Sequence, residues 1–223
     1  MVWSMASKLY IAYNAITQDS TNSKQLYPMP PKINETKNAI ASAADDDTCS
    51  EPSPPPAQWM SGKWGIAFRI AAGDVPAVKN YDVEKLVEQV KGIPGVSYVL
   101  FGLSAAARGD RYLGPHSVLK EINPKSCPDR DLFGELATAF QAEGYKVLAY
   151  MATDGPAHLK TGPKGAYDWD PETKRSPTVD KWKKYVKDRY GEDNEWTLKK
   201  AYAEVVVKEF AERYGSKIDG WWY

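Results

Sequence analysis

The side chains able to do chemistry in this chain gather after three short apolar runs. Arg69 and Asp74 follow the first, Ser104, Arg108, Asp110 and Arg111 the second, and Thr153, Asp154 and His158 the third. A carboxylate and an imidazole in one loop suit general acid and base work near neutral pH, so Asp154 and His158 are the candidate catalytic residues. Arg69, Arg108 and Asp110 offer charged hydrogen-bonding groups to a polar substrate. Tyr167 and Trp169, farther along the same long loop, are a candidate plate for the apolar face of a pyranose, with Asp168 or Asp170 beside them to accept from its hydroxyls. Each reading has a plainer rival. Asp154-Gly155-Pro156 is also ordinary turn chemistry, Arg108 to Arg111 also fits an exposed charged loop, and Trp169 also fits a residue that pins its loop to the body. Asp219 precedes a glycine inside the last apolar run, which suits a structural role.

Composition narrows the chemistry further. The chain has 29 basic and 29 acidic residues, so no broad basic field is available for nucleic acid or anionic lipid. Two histidines, His116 and His158, are too few for a histidine-rich metal site, and neither a metal nor a cofactor is expected. No stretch approaches the roughly 18 apolar residues of a membrane span. The run from Leu9 to Tyr13 is too short for the apolar core of a secretory signal, although Met5 leaves the start open to a different leader. Cys49 and Cys127 either form one bridge or remain two thiols, and Asn34-Glu35-Thr36 is a glycosylation sequon. The 8 Trp and 14 Tyr against 5 Phe favour wet, concave surfaces, with many of them half-buried on helices.

The elements that must position these residues begin near residue 59. Residues 1–58 read as an N-terminal extension and a Pro-, Asp- and Ser-rich linker, with too few apolar side chains to repay ordering. From Trp59 onward strand and helix patterns alternate. Trp64–Ile70, Val96–Leu103, Tyr145–Met151 and Ile218–Tyr223 read as strands buried on both faces. Asp82 caps a helix with Val83, Leu86, Val87 and Val90 on one face, stopped by Gly92 and Pro94. Asp129 or Asp131 opens another, with Leu132, Leu136 and Phe140 inward and Gly144 closing it. Helices over about Val179–Tyr190 and Glu195–Tyr214 follow the long loop of residues 152–178. Trp182, Tyr185 and Tyr190 fall at helical spacing as packing residues, and Leu198, Tyr202, Val205 and Val206 share a stripe. This order predicts an α/β fold of parallel (β/α) barrel type. A complete (β/α)8 barrel takes about 250 residues, so the expected architecture is the first four βα units, a half barrel over residues 59–223.

Several of these segments, taken in order, resemble alpha-L-fucosidases of glycoside hydrolase family 29. Lys63-Trp64-Gly65-Ile66, Tyr81-Asp82-Val83-Glu84-Lys85-Leu86-Val87 and Val96-Ser97-Tyr98-Val99-Leu100 resemble the opening of that family's barrel. Arg130-Asp131-Leu132-Phe133-Gly134-Glu135-Leu136 with Gly144-Tyr145-Lys146-Val147 resembles its third helix and strand, and Ile218-Asp219-Gly220-Trp221-Trp222-Tyr223 its fourth strand. The resemblance implies a retaining glycosidase, whose chemistry needs two carboxyl groups roughly 5 Å apart. It places the nucleophile immediately after Trp221-Trp222-Tyr223 and the acid/base later still, so the 223 residues as given are expected not to turn over. Arg69, Ile70 and Ala71 stand where the family has a sugar-touching His-Trp-Gly, and Ser104, Ala105 and Ala106 where it has Lys-His-His, a site stripped of two imidazoles.

The expectation is therefore a fucosidase-like hydrolase domain with a degenerate site, its partner a fucosylated glycan or another sugar, and the resemblance implies a secreted or lysosomal-type setting. Two other readings stay open. One is a non-catalytic carbohydrate-binding protein that keeps the aromatic plate. The other is a scaffold in which two half barrels form a homodimer and cover each other's strand edges.

Overall fold

The structure is a computed structural model, and it describes residues 10–11, 58–104, 109–152 and 155–222. The chain divides into one unit of residues 1–15 and 60–223, which holds the sheet and helices, and a second of residues 16–59. The linker reading, Cys49, the sequon and the Leu9–Tyr13 run apart from its strand residues lie outside the described residues.

Five parallel strands form one sheet: β1 (Tyr10–Ile11), β2 (Trp64–Phe68), β3 (Val96–Gly102), β4 (Lys146–Tyr150) and β5 (Gly220–Trp222), in that spatial order. Tyr10 pairs with Ile66 and Ile11 with Ala67, so β1 adds an edge strand where sequence patterning gives only a short apolar run. Among the described residues the sheet runs in sequence order and does not close on itself. It is the parallel α/β sheet expected of a partial barrel-type fold.

One face of the sheet meets the helices. Register sets Phe68 opposite Phe101 and Phe101 opposite Ala149, and Ile66, Val99 and Val147 line up beside them. The Phe101 ring is stacked on Phe68 at 5.4 Å and tilted against Phe140 at 5.3 Å. Tyr98, Leu100 and Leu148 are buried on the other face. Apolar residues on both faces are what a parallel strand between two layers requires.

The helices are α1 (Pro76–Lys79), α2 (Val83–Lys91), α3 (Ser117–Ile122), α4 (Leu132–Ala142), α5 (Pro177–Tyr190), α6 (Glu195–Ala201) and α7 (Lys208–Tyr214). Asp82 caps α2 by accepting from the Lys85 N–H at 2.9 Å, and Asp131 caps α4 by accepting from Gly134 at 3.0 Å. Gly144, at φ +82°, turns the chain from α4 into β4. Arg130 grips the Glu135 carboxylate and donates to the carbonyls of Val78, Lys79 and Tyr81, satisfying the open end of α1. Trp182 is fully buried and stacked on Tyr185. Asp219 accepts from Lys146 Nζ and the Val147 N–H, locking β4 to the start of β5.

The expected single helix over Glu195–Tyr214 is instead α6, a π-helical segment over Tyr202–Val207, and α7. A π turn widens the helix and frees carbonyls for other partners. His116 uses one of them: its Nε2 donates to the Val205 carbonyl at 3.3 Å, while Nδ1 accepts from the Leu119 N–H and caps α3. Ser117 adds two bonds to Glu209 from its N–H and Oγ. Together these clamp the long β3–β4 connection onto the last helix.

Burial holds His116 below its ordinary value, only partly offset by Glu209. A base whose folded pKa is lowered contributes stability that is complete above its unfolded pKa of about 6.5 and is lost as pH falls through the folded value. The melting temperature is expected to fall between pH 7.5 and 5.5, and His116→Gln is expected to flatten that dependence. Equal slopes for both proteins, by calorimetric scans, would remove His116 as the cause.

Candidate functional site

The carboxyl ends of β2, β3 and β4 continue into loops that bond to one another. Leu103 and Ser104 N–H groups reach the Tyr150 carbonyl, and Ser104 Oγ accepts from Ala152 at 2.7 Å. Ser104 bridges to Tyr112 in antiparallel fashion, Leu113 N–H donates to Leu103, and the Tyr112 carbonyl accepts from Gly73. The described parts of the three loops are thus hydrogen-bonded to one another at the end of the sheet where such folds carry their sites.

Asp110 lies at its centre, only 2% exposed, facing His158, which is fully buried. Asp110 Oδ2 stands 3.4 Å from His158 Nε2 and accepts the Tyr167 N–H at 2.9 Å. His158 Nδ1 lies 3.2 Å from Thr161 Oγ1. A left-handed backbone at His158, φ +50°, and at Gly155, φ +58°, folds the segment tightly enough to bring the imidazole under the loop. Gly109 packs on Gly155: a Cβ on Gly109 would sit 2.7 Å from the Gly155 backbone. Tyr202, from the π segment, donates its hydroxyl to the Ala152 carbonyl at 2.6 Å and braces the same turn.

Asp110 and His158 are thereby brought together, but inside the protein and not at its surface. Tyr167 is the exposed member, 41% accessible, with its backbone tied to Asp110. The Arg111 guanidinium lies over its ring, 3.9 Å from the centroid. Trp169 is half-buried two residues on, its N–H donating to Ala166. Arg69 is exposed just beyond β2. Arg108, Thr153 and Asp154 lie outside the described residues.

The neighbouring aspartates are already engaged. Asp168 accepts from Ser176 Oγ and from the N–H and Oγ1 of Thr178. Burial alone would push its carboxyl up, but these bonds outweigh that and hold it below the ordinary value. Asp170 is held low by the Thr173 hydroxyl and the Glu172 N–H. Their geometry fastens the loop to the start of α5 and closes the turn over residues 170–175. Cys127 is buried in the core, where desolvation pushes its thiol up to about 12, so it is no nucleophile. No cluster of three or more potential metal ligands occurs among the described residues, and none of the described helices is long and apolar enough to cross a membrane.

Tyr202, His116 and the Gly109–Gly155 contact escape sequence reasoning. A polar-tipped aromatic on an otherwise apolar helical stripe, as at Tyr202, is the one local signal of a buried partner.

A parallel sheet flanked by helices, with the described parts of its carboxyl-end loops hydrogen-bonded to one another, defines an α/β domain. A family model described as "Endo-alpha(1,4)-fucoidanase Mef1" matches residues 54–223, and the chain belongs to that family. Among solved structures it is similar to the endo-fucoidan hydrolase P5AFcnA of glycoside hydrolase family 107, at 22% identity and TM-score 0.57, covering 74% of this chain and 43% of that one. It is also similar to the endo-fucoidan hydrolase MfFcnA4, at 18% identity and TM-score 0.61, covering 74% and 26%. A third, MfFcnA9, is 19% identical at TM-score 0.61, covering 75% and 33%. At these identities the likeness is one of fold, and the chain spans less than half the length of each. No curated protein matches it.

These matches correct the resemblance to alpha-L-fucosidases of glycoside hydrolase family 29: the matching family is that of endo-fucoidanases. The misleading segments are strand runs, helix caps and turn glycines. Packing sets those, and one fold can serve different substrates.

Proposed function

We propose that this domain holds a fucan-type polysaccharide against the carboxyl-end loops of β2, β3 and β4, as the glycan-gripping part of an endo-fucoidan hydrolase. The observation that carries the reading is Tyr167, an exposed ring at the strand ends whose backbone is bonded to the buried Asp110. A ring fixed before the ligand arrives stacks on a sugar face without a further ordering cost. The membership in an endo-fucoidanase family supplies the glycan class.

Binding is the activity proposed for these residues. Retaining hydrolysis needs two carboxyl groups roughly 5 Å apart across the sugar. Here Asp110 faces His158 and the Tyr167 N–H, Asp168 caps α5, and Asp170 closes its own turn. In this reading His158 is a positioning residue that acts through Asp110.

Electrophoresis of the 223-residue chain through gels containing fucoidan tests the proposal. Retardation that grows with polymer concentration is expected. Tyr167→Ala should weaken binding about fivefold, the equivalent of about 1 kcal/mol. A chain that migrates identically with and without fucoidan would overturn the reading.

A further inference from the structure

Among the described residues Trp196 is the most exposed large apolar side chain, 74% accessible against 41% for Tyr167. Its place on α6 accounts for the exposure. Thr197, Leu198, Ala201 and Tyr202 are all buried, and at about 100° per residue the middle of that buried face lies about 170° round the helix from Trp196, so the indole points away from the core. The backbone beneath it is held in place. Asn194 Oδ1 accepts from the Thr197 N–H at 2.9 Å, Thr197 Oγ1 donates to Glu192 at 3.2 Å, and Lys199 is paired with Glu195. The rest of this turn is polar, as the solvent side of a helix usually is, and nothing in its packing calls for an indole.

The helix also carries this ring to the carboxyl end of the sheet. Tyr202 bonds to the Ala152 carbonyl just past β4, and the chain then descends through α7 to Asp219, whose N–H donates to Val147 near the start of β4. Trp196 precedes Tyr202 by six residues, which sets it about 9 Å farther along the helix axis toward the carboxyl-end side. It therefore stands on the rim of the end that bears Tyr167, on a different element. Resting on the glycan reading of the strand-end loops, we infer that Trp196 is a second sugar-stacking plate, outside those loops, that holds a distal stretch of the same polysaccharide chain. An indole offers a large rigid face with few rotors to freeze, and its Nε1–H can donate to a ring substituent. One ring in a charged turn falls far short of the roughly 800 Å² per partner that a protein interface buries. A flexible polymer already held at Tyr167 needs no such area, because its second contact is made at high effective concentration.

The test compares the affinity of the full 223-residue chain for a long fucan and for a fucan oligosaccharide of about four sugars, which is meant to engage one plate at a time. Wild type is expected to hold the polymer about tenfold more tightly per chain than the oligosaccharide. Trp196→Ala should weaken polymer binding about fivefold and leave oligosaccharide binding within about twofold, and Trp196→Phe should keep part of the polymer affinity. Tyr167→Ala should weaken both ligands. The exposed position makes Trp196→Ala safe for folding, so its melting temperature should stay within about 2 °C of wild type. Polymer affinity unchanged by Trp196→Ala would overturn the second plate, and a loss in Tyr167→Ala would then leave the glycan reading intact. Equal losses for polymer and oligosaccharide in Trp196→Ala would also overturn it, since the ring would belong to the strand-end surface itself. If Tyr167→Ala changes nothing while Trp196→Ala still weakens the polymer, the strand-end reading falls and the rim contact stands. Failure of wild type to bind either ligand would overturn both.

Discussion

Replacing Asp110 with alanine is expected to destabilise the domain by about 3 kcal/mol, because a part-buried N–H and a fully buried imidazole lose the carboxylate they face at once. The Tyr167 N–H donates to this carboxylate, and the His158 ring, with no exposed surface, faces it at 3.4 Å. The buried imidazole has no water to turn to. For a domain of this size the shift in melting temperature should be roughly 6–12 °C. Asp110→Asn keeps the volume and one acceptor and should cost about half as much. Urea unfolding at unchanged m-value measures both. The alanine variant should also lose glycan affinity at temperatures where it is folded, because Tyr167 is released. A loss of stability under 1 kcal/mol would mean that the pair contributes nothing to holding the loops.

Substitution of Gly155 by alanine is the second change with a large expected effect, about 3 kcal/mol from two separable sources. The backbone at φ +58° costs an L-residue about 1 kcal/mol. The added methyl would lie 2.5 Å from Cδ2 and 2.8 Å from Cε2 of Tyr202, and overpacking of that kind costs about 1–3 kcal/mol. The ring cannot step aside without breaking its 2.6 Å bond to the Ala152 carbonyl. Gly191 provides the control, left-handed at φ +85° but with open space where a methyl would go. Gly191→Ala should therefore show the backbone cost alone, about 1 kcal/mol. Equal losses for the two variants would show that the Tyr202 contact yields freely, and the π segment would no longer be needed to explain the turn.

The scaffold is largely legible in sequence because burial on two faces produces compact apolar runs. Those at Trp64, Val96, Tyr145 and Ile218 become β2 to β5 with ends at most two residues shorter. Asp82, Asp131 and Gly144 act at helix ends by local chemistry that needs no distant partner. Helix α3 and the π segment are another matter. The stripe through Leu198, Tyr202, Val205 and Val206 is compatible with an uninterrupted helix, and the extra residue of the π turn is stabilised by His116, some 89 positions away. The substrate class also lies outside local patterning, which is why strand and cap signatures point to family 29 while the whole of residues 54–223 matches endo-fucoidanases.

The candidate residues divide along the same line. Asp110, Arg111, His158 and Tyr167 are identifiable from type and from position after strands, but type does not distinguish an exposed charged loop from a buried pair. Asp110 and Tyr167 meet across 57 residues, Asp131 and Tyr214 across 83. Local order of apolar, turn and capping residues is enough to specify parallel strands alternating with helices and to bring the chemical groups to one end of the sheet. Which of those groups is solvated, which is paired and which is left exposed is decided by packing between loops far apart in the chain. Burial and hydrogen-bond partners are properties of that packing, and no short stretch of residues contains them.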